Sequence, residues 1–370
     1  MLWSPYVAKH AELLARYCIE AQRGWEVAVS GSYEALPLMV ELVKVLASNG
    51  VYPYIFVRDE MISEAFLRYA SEDVLQHVPK LDKFLVENID AMISIVSSTH
   101  TRYLASIDPS RQALAARARR EINEVFLRRA AEGKLRWVVT IFPTRALAQE
   151  ANMSFETYAE FVFRALKLHY EDPVEEWKKQ AAFQQKIINV LSKGCELHIT
   201  GRGVDLYLRI DGRKWINDDG KNNMPGGEVF TAPIEDSVEG WIEFEYPAIY
   251  RGREVEGVKL VFRKGMVVEA RAIKGEEFLK KMLEVDEGAK RVGEFAFGLN
   301  YDLQTFTKEI LLDEKIGGTI HLALGSAYPE TGGKNTSSIH WDMIKDCRGV
   351  KVYLDKDLVY EDGRFLESVL

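Results

Sequence analysis

Through its first half the chain alternates short apolar runs with amphipathic stretches. Glu26 to Ser30 (EVAVS) has the length and composition of a buried strand and runs into Gly31-Ser32. Met39, Leu42, Val43 and Leu46 then recur at helical spacing, and Asn49-Gly50 supplies a stop. Tyr52 to Val57 (YPYIFV), Ala91 to Val96 (AMISIV) and Trp137 to Phe142 (WVVTIF) read as further strands, with an Arg-rich helical segment before the last. Strands separated by helices predict a parallel sheet covered on both faces. Helical pattern returns from Ser154 to about Lys193, with Phe155, Tyr158, Val162 and Leu166 on one face.

Beyond that point the period changes from that of a helix to that of a strand. Val204 to Ile210 (VDLYLRI) alternates apolar and polar positions, as do Ile242 to Tyr246. Val258 to Phe262 and Met266 to Ala270 flank Arg263-Lys264-Gly265, a hairpin turn. One helix interrupts near Glu276 to Val285, and the segment KVYLDKDLVYEDGRFL reads as more short strands. The expected architecture is an N-terminal α/β domain with a parallel sheet, residues 1–193, and an α+β, mainly antiparallel C-terminal domain, residues 194–370. No internal repeat or low-complexity tract is visible.

Length and charge narrow the function. A chain of 370 residues exceeds one ordinary core, which fits two domains. Net charge is −8, which argues against nucleic acid as a partner. The basic stretch Arg111 to Arg129 is broken by Glu121 and Glu124 and reads as a solvated helix face. No apolar run is long enough to cross a bilayer, and the amphipathic start MLWSPYVAKHAELLARY does not read as a secretory signal. The three cysteines, Cys18, Cys195 and Cys347, are scattered and odd in number, so the expected compartment is the reducing cytoplasm.

Reactive side chains concentrate in four C-terminal segments: NMPGGEVFTAP, GEFAFGLN, HLALGSAY and HWDMI. They carry Glu228, Glu294, His321, Tyr328, His340 and Asp342. Singly, most have bland readings: Glu228 as a turn acid, His321 as a core histidine, Tyr328 as an ordinary phenol. Glu294 among Phe295, Ala296 and Phe297 is harder to dismiss, because a buried carboxylate needs a cation or donors. In an extended segment His340 and Asp342 point to the same side, where imidazole and carboxylate could converge on one cation. Together these groups suit a pair of divalent ions with one shared carboxylate, and the lack of thiolates argues for an open catalytic centre. The Gly-rich loop Tyr328 to Ser338 lacks phosphate-loop spacing and reads as a mobile rim.

In these same segments, in this order, the chain resembles the thermophilic metallo-aminopeptidases of aminopeptidase T and aminopeptidase S type. The likeness extends over nearly the whole length. It implies metal ligation by Glu228, Glu294, His321, His340 and Asp342, with Glu294 as bridging or acid/base carboxylate and Tyr328 as the catalytic tyrosine. It leaves Glu314, in DEKIGG, as either a further ligand or a loop acid. It also implies a homodimer, activation by zinc, cobalt or related ions, and peptide substrates with a free N-terminus. A dipeptidase or amidase using the same paired ions is the nearest alternative. A non-enzymatic binding module with structural ions is the alternative from another class.

Overall fold

The computed structural model describes residues 4–370, so the first three residues of the amphipathic start lie outside the described residues. Contacts divide the chain into two compact units: residues 1–176 with 220–225, and residues 177–219 with 226–370.

The first unit is the predicted α/β layer. Its sheet holds β1 (Glu26–Gly31), β2 (Tyr52–Val57), β3 (Ala91–Val96) and β4 (Arg136–Ile141) in the order β2-β1-β3-β4, all parallel. Central β1 buries Val27, Ala28 and Val29 fully, as a strand covered on both faces must, whereas β2 lies at the edge and stays largely accessible. The helix Leu36–Ser48 follows β1 and turns Leu38, Met39, Leu42, Val45 and Leu46 inward. The Arg-rich stretch forms two helices, Pro109–Ala118 and Arg120–Ala131. Asn223–Met224 adds a fifth parallel strand beside β4, a contribution from far along the chain that no local pattern announces.

The second unit is mainly antiparallel. An eight-stranded sheet includes Val204–Arg209, whose strict in-out alternation matches the sequence pattern. The predicted hairpin joins Lys259–Arg263 to Met266–Arg271 through Lys264 and Gly265, both at positive φ as a tight two-residue turn requires. A second, five-stranded sheet is ordered His340–Asp346, Thr319–Gly325, Val292–Gly298, Glu228–Thr231, Ile216–Asp218. One apolar cluster joins Leu206, Leu208, Ile242 and Leu260 of the large sheet to Phe295, Phe297, Leu322, Leu324, Trp341 and Met343 of the small one.

The long helical pattern after Ser154 forms two helices, Phe155–Ala165 and Pro173–Leu191. Lys167 at φ 60° and the proline at 173 separate them. From Trp177 onward the second helix belongs to the second unit, where Ile187 and Leu191 join its core.

Candidate metal centre

The small sheet places its polar groups by register. Side chains of directly paired residues share a face, and alternate residues along each strand return to it. Asp218 pairs with Glu228 and Glu228 with Gly298. Phe230 pairs with Ala296, Ala296 with His321, and His321 with Ile344. Glu294 pairs with Ala323 and Ala323 with Asp342, while Gly325 pairs with His340. All of these therefore stand on one face, with the small residues Ala296, Gly298, Ala323 and Gly325 between the polar ones. The opposite face carries Phe295, Phe297, Leu322, Leu324, Trp341 and Met343 into the core. One period-2 pattern thus supplies both the apolar floor and the polar side above it.

The turn before Glu228 shows why its sequence is Gly-rich. Gly227 adopts φ +117°, and a Cβ there would lie 2.5 Å from the Cβ of Asn300. A side chain at this position would push the Glu228 strand off its neighbour.

Glu294 lies between the two imidazoles. One of its oxygens is 3.3 Å from His321 Nε2 and the other 3.4 Å from His340 Nε2. His321 Nε2 is also 3.3 Å from Glu228, and His340 Nε2 is 3.5 Å from Asp342. Three overlapping sets arise in which potential ligand atoms lie within 4.8 Å of one another: Glu228, Glu294 and His321; Glu294, His340 and Asp342; Glu314, His321 and Asp342. Glu228, Glu294 and His321 are buried, whereas His340 and Asp342 are partly accessible. His340 Nδ1 lies 2.8 Å from the Ser326 carbonyl, so it carries the proton and donates, leaving Nε2 directed at the carboxylates.

A donor set that wants a cation leaves traces in the metal-free charges. Glu228 Oε2, Asp342 Oδ1 and Asp218 Oδ2 are buried with no hydrogen bond, each meeting only a His or Lys nitrogen at 3.3–3.5 Å, and His321 Nδ1 is buried with no partner among the described residues. Buried polar atoms of native proteins rarely lack one, and oxygen and nitrogen donors without thiolate suit divalent ions. Burial drives the Glu228 carboxyl well above its usual range, against the opposing pull of Lys315. Burial lowers the His321 imidazole, but its bond to Glu294 and the charges of Glu228, Glu294 and Asp342 win and raise it to about 9. For His340 burial is likewise outweighed, chiefly by Asp342, and the imidazole rises to about 10. Asp342 in turn falls to about 2, because His340, His321 and Lys315 overcome its burial.

Lys315 was not singled out by the sequence. Fully buried, its ammonium donates to Glu228 at 3.0 Å and to Glu314, and lies 3.3 Å from Asp218. Burial opposes its charge, yet Glu228, Glu314 and Asp218 hold it protonated and move it well above the usual lysine range. The available signal was the Asp-Glu-Lys run between apolar residues in LLDEKIGG, which propensity alone treats as a solvated turn.

Tyr328 stands at the edge of this group, its ring 5.3 Å from that of His340 and 5.5 Å from that of Phe230. Tyr328 is 44% exposed as a residue, yet burial of its phenol, then the nearby carboxylates led by Glu294 and Asp342, shifts the hydroxyl upward, so it stays protonated. The loop that follows corrects the expectation of a mobile rim. Thr331 Oγ1 donates to the Tyr328 carbonyl at 2.6 Å, and Lys214 N–H to the Thr331 carbonyl at 3.0 Å. Arg213 donates to the Gly332 carbonyl and to Glu235 (2.6 Å), and Glu235 also accepts from the Lys334 N–H at 2.7 Å. Asp286 accepts from both Ser337 and Ser338. The polar residues that suggested looseness are spent on fastening.

Carboxylates and imidazoles converging on one sheet face are the equipment of a metal-dependent hydrolase. A family model described as thermophilic metalloprotease (M29) matches residues 4–365, and the chain belongs to that family. It is accordingly a metal-dependent peptidase. It is 28% identical to aminopeptidase T of Thermus thermophilus over 96% of its own length and 95% of the relative's. With aminopeptidase 2 of Geobacillus stearothermophilus it shares 27% identity, covering 94% of this chain and 89% of the other. The solved structure of wild-type AmpT from Thermus thermophilus superposes with a TM-score of 0.85 at 25% identity, covering 98% of this chain and all of that one.

Proposed function

We propose that this face binds two divalent ions and that the enzyme is an aminopeptidase, removing the first residue of peptides with a free N-terminus. Glu228, Glu294 and His321 would hold one ion, and Glu294, His340 and Asp342 the other. The observation that carries this reading is the position of Glu294, with an imidazole on each of its two oxygens and a further carboxylate beside each imidazole. When bound, such ions act as Lewis acids that polarise a peptide carbonyl and acidify a water.

The chain's own groups do the rest. His340 is held in one tautomer by Ser326, so its Nε2 needs no reorientation. Tyr328, kept protonated, donates a hydrogen bond to the carbonyl oxygen as negative charge grows there. A carboxylate must carry the proton to the leaving amine, and Glu294 is poorly free to do so if shared between ions. Glu314 is better suited: it belongs to one set only, its side chain is 17% accessible, and Lys315 orients it. Zinc or cobalt as the ion, a homodimer and a cytoplasmic setting belong to the same proposal. The first two rest on the resemblance, and the last is supported by three free cysteines.

Chelation is expected to abolish hydrolysis of an unblocked peptide, with recovery on adding zinc or cobalt, and N-acetylation of the substrate to prevent cleavage. Tyr328→Phe is expected to lower kcat by about 10²–10³-fold with metal content unchanged, the usual loss for one oxyanion donor. Rapid cleavage of the acetylated peptide would establish an endopeptidase or amidase instead.

A further inference from the structure

We propose that the N-terminal α/β unit carries a binding site of its own, for a small organic monocarboxylate with an apolar body. The proposal is independent of the metal centre. A cavity of about 300 Å³ opens on one face of the parallel sheet, between it and the helices Lys80–Asn88 and Arg120–Ala131. After β1 the chain moves to β2 on one side and returns as β3 on the other, and the cavity lies beneath the two helices of the returning crossovers, against the middle of β1 and β3.

Both strands flanking the reversal contribute. Ser30 of β1 and Ser94 of β3 are paired in register and line the cavity, as do Ala28 and Met92 one step earlier. Neither serine hydroxyl has a hydrogen-bond partner among the described residues. The apolar packing beneath the two helices falls into two small clusters, linked through the partly buried Met92 and Phe126. Ala28, Ile89 and Leu135 form one small cluster and Val86, Ile122 and Val125 another, and the cavity touches both.

Charge selects the ligand. Arg58 and Arg119 both lean on the single carboxylate of Asp82, so one positive charge is left over at the cavity. Lys83 and Glu121 next to them neutralise each other at 2.5 Å. A guanidinium pair favours a planar carboxylate, which it can grip with two parallel hydrogen bonds. Phe56, Ile122 and Phe126 offer the ligand's body an apolar surround, and Ser30 and Ser94 offer hydrogen bonds.

The test is calorimetric titration of the metal-loaded enzyme with 4-methylpentanoate and phenylacetate, with their amides and inorganic phosphate as controls. The acids are expected to bind saturably, and the amides and phosphate at least about tenfold more weakly. Two variants locate the site: Arg58→Gln removes the spare charge, and Asn123→Phe fills the cavity from an exposed helical position. Both are expected to lose at least about tenfold in acid affinity while peptide cleavage and melting temperature stay at wild-type values. Three outcomes overturn the proposal: no saturable binding of either acid, phosphate bound as tightly as the acids, or binding that survives both variants. In the last case, competition with peptide substrate would assign the acid to the metal centre.

Discussion

At the scale of single residues, the least expected feature is the buried ammonium of Lys315 beneath a group of acids. It meets Glu228, Glu314 and Asp218, which in an apolar interior would otherwise repel one another. Removing one partner of a buried charge cluster costs about 3–5 kcal/mol, because the remaining charges are left uncompensated. Lys315→Met is therefore expected to lower the melting temperature of chelated protein by several degrees. Unchanged melting of the chelated variant would show that the acids are already neutral without the lysine. Lys315 also marks what sequence reading misses. Glu228, Glu294, His321, His340 and Asp342 are visible because acids and imidazoles in apolar, Gly-rich strands are odd. A lysine beside a glutamate is ordinary in a turn, and only the fold reveals that this one is fully buried.

The imidazoles give the pH dependence its sign. Without a bound ion, the surrounding carboxylates raise His321 to about 9 and His340 to about 10, so both carry protons at pH 7. Their folded values lie above the unfolded one, so the stability they lend is complete below about pH 6.5. It fades as pH rises through about 9 and 10. A metal ion needs the neutral imidazole and must displace these protons. Zinc binding near pH 7 is expected to release up to about two protons per chain, with affinity rising steeply with pH. Potentiometry in weak buffer measures this directly, and metal uptake without proton release would refute the assignment of both histidines.

At the scale of elements, regular strands were easy to read and their assembly was not. β2 and β3 occupy the ranges that their apolar runs suggest, and the Lys264-Gly265 hairpin follows from its turn residues. The alternation at Ile242 to Tyr246 was placed too late, since the strand is Glu239–Glu243. Asn223–Met224 had no local signal, because its pairing with β4 is created by chain return. The loop after Tyr328 was misjudged for a similar reason: Gly, Thr and Ser look flexible until Arg213, Glu235 and Asp286 are found bonding to them. Those bonds, with that of Thr331 to the Tyr328 carbonyl, tie down the loop that carries Tyr328. Glu235→Ala removes the acceptor for Arg213 and for the Lys334 N–H. It is expected to lower kcat by about tenfold or more, since small displacements of a positioned group are costly, with metal content intact. Wild-type kinetics with only a reduced melting temperature would make this tie structural rather than positioning.

At the scale of the whole molecule, the two units differ in what holds them. The first is a conventional parallel sheet with buried apolar strands, and no helix among the described residues is long and apolar enough to cross a membrane. The second has its own large apolar core but spends one face of its small sheet on mutually repelling acids. An ion that binds the folded unit and not the unfolded chain stabilises it by about 2.7 kcal/mol at a hundredfold excess over Kd. For a unit of this size each kcal/mol corresponds to about 2–4 °C, so one such ion is worth about 5–11 °C. Calorimetric scans of metal-loaded and chelated protein are expected to show the transition of the second unit moving down by at least that amount. Hydrogen exchange should quicken in Val292–Gly298 and Thr319–Gly325, with β1 and β3 unaffected. If chelation quickened exchange equally in both units, or in neither, the ions would not be a local support of the small sheet. The face that carries Glu294 would then need another explanation for its buried oxygens that make no hydrogen bond.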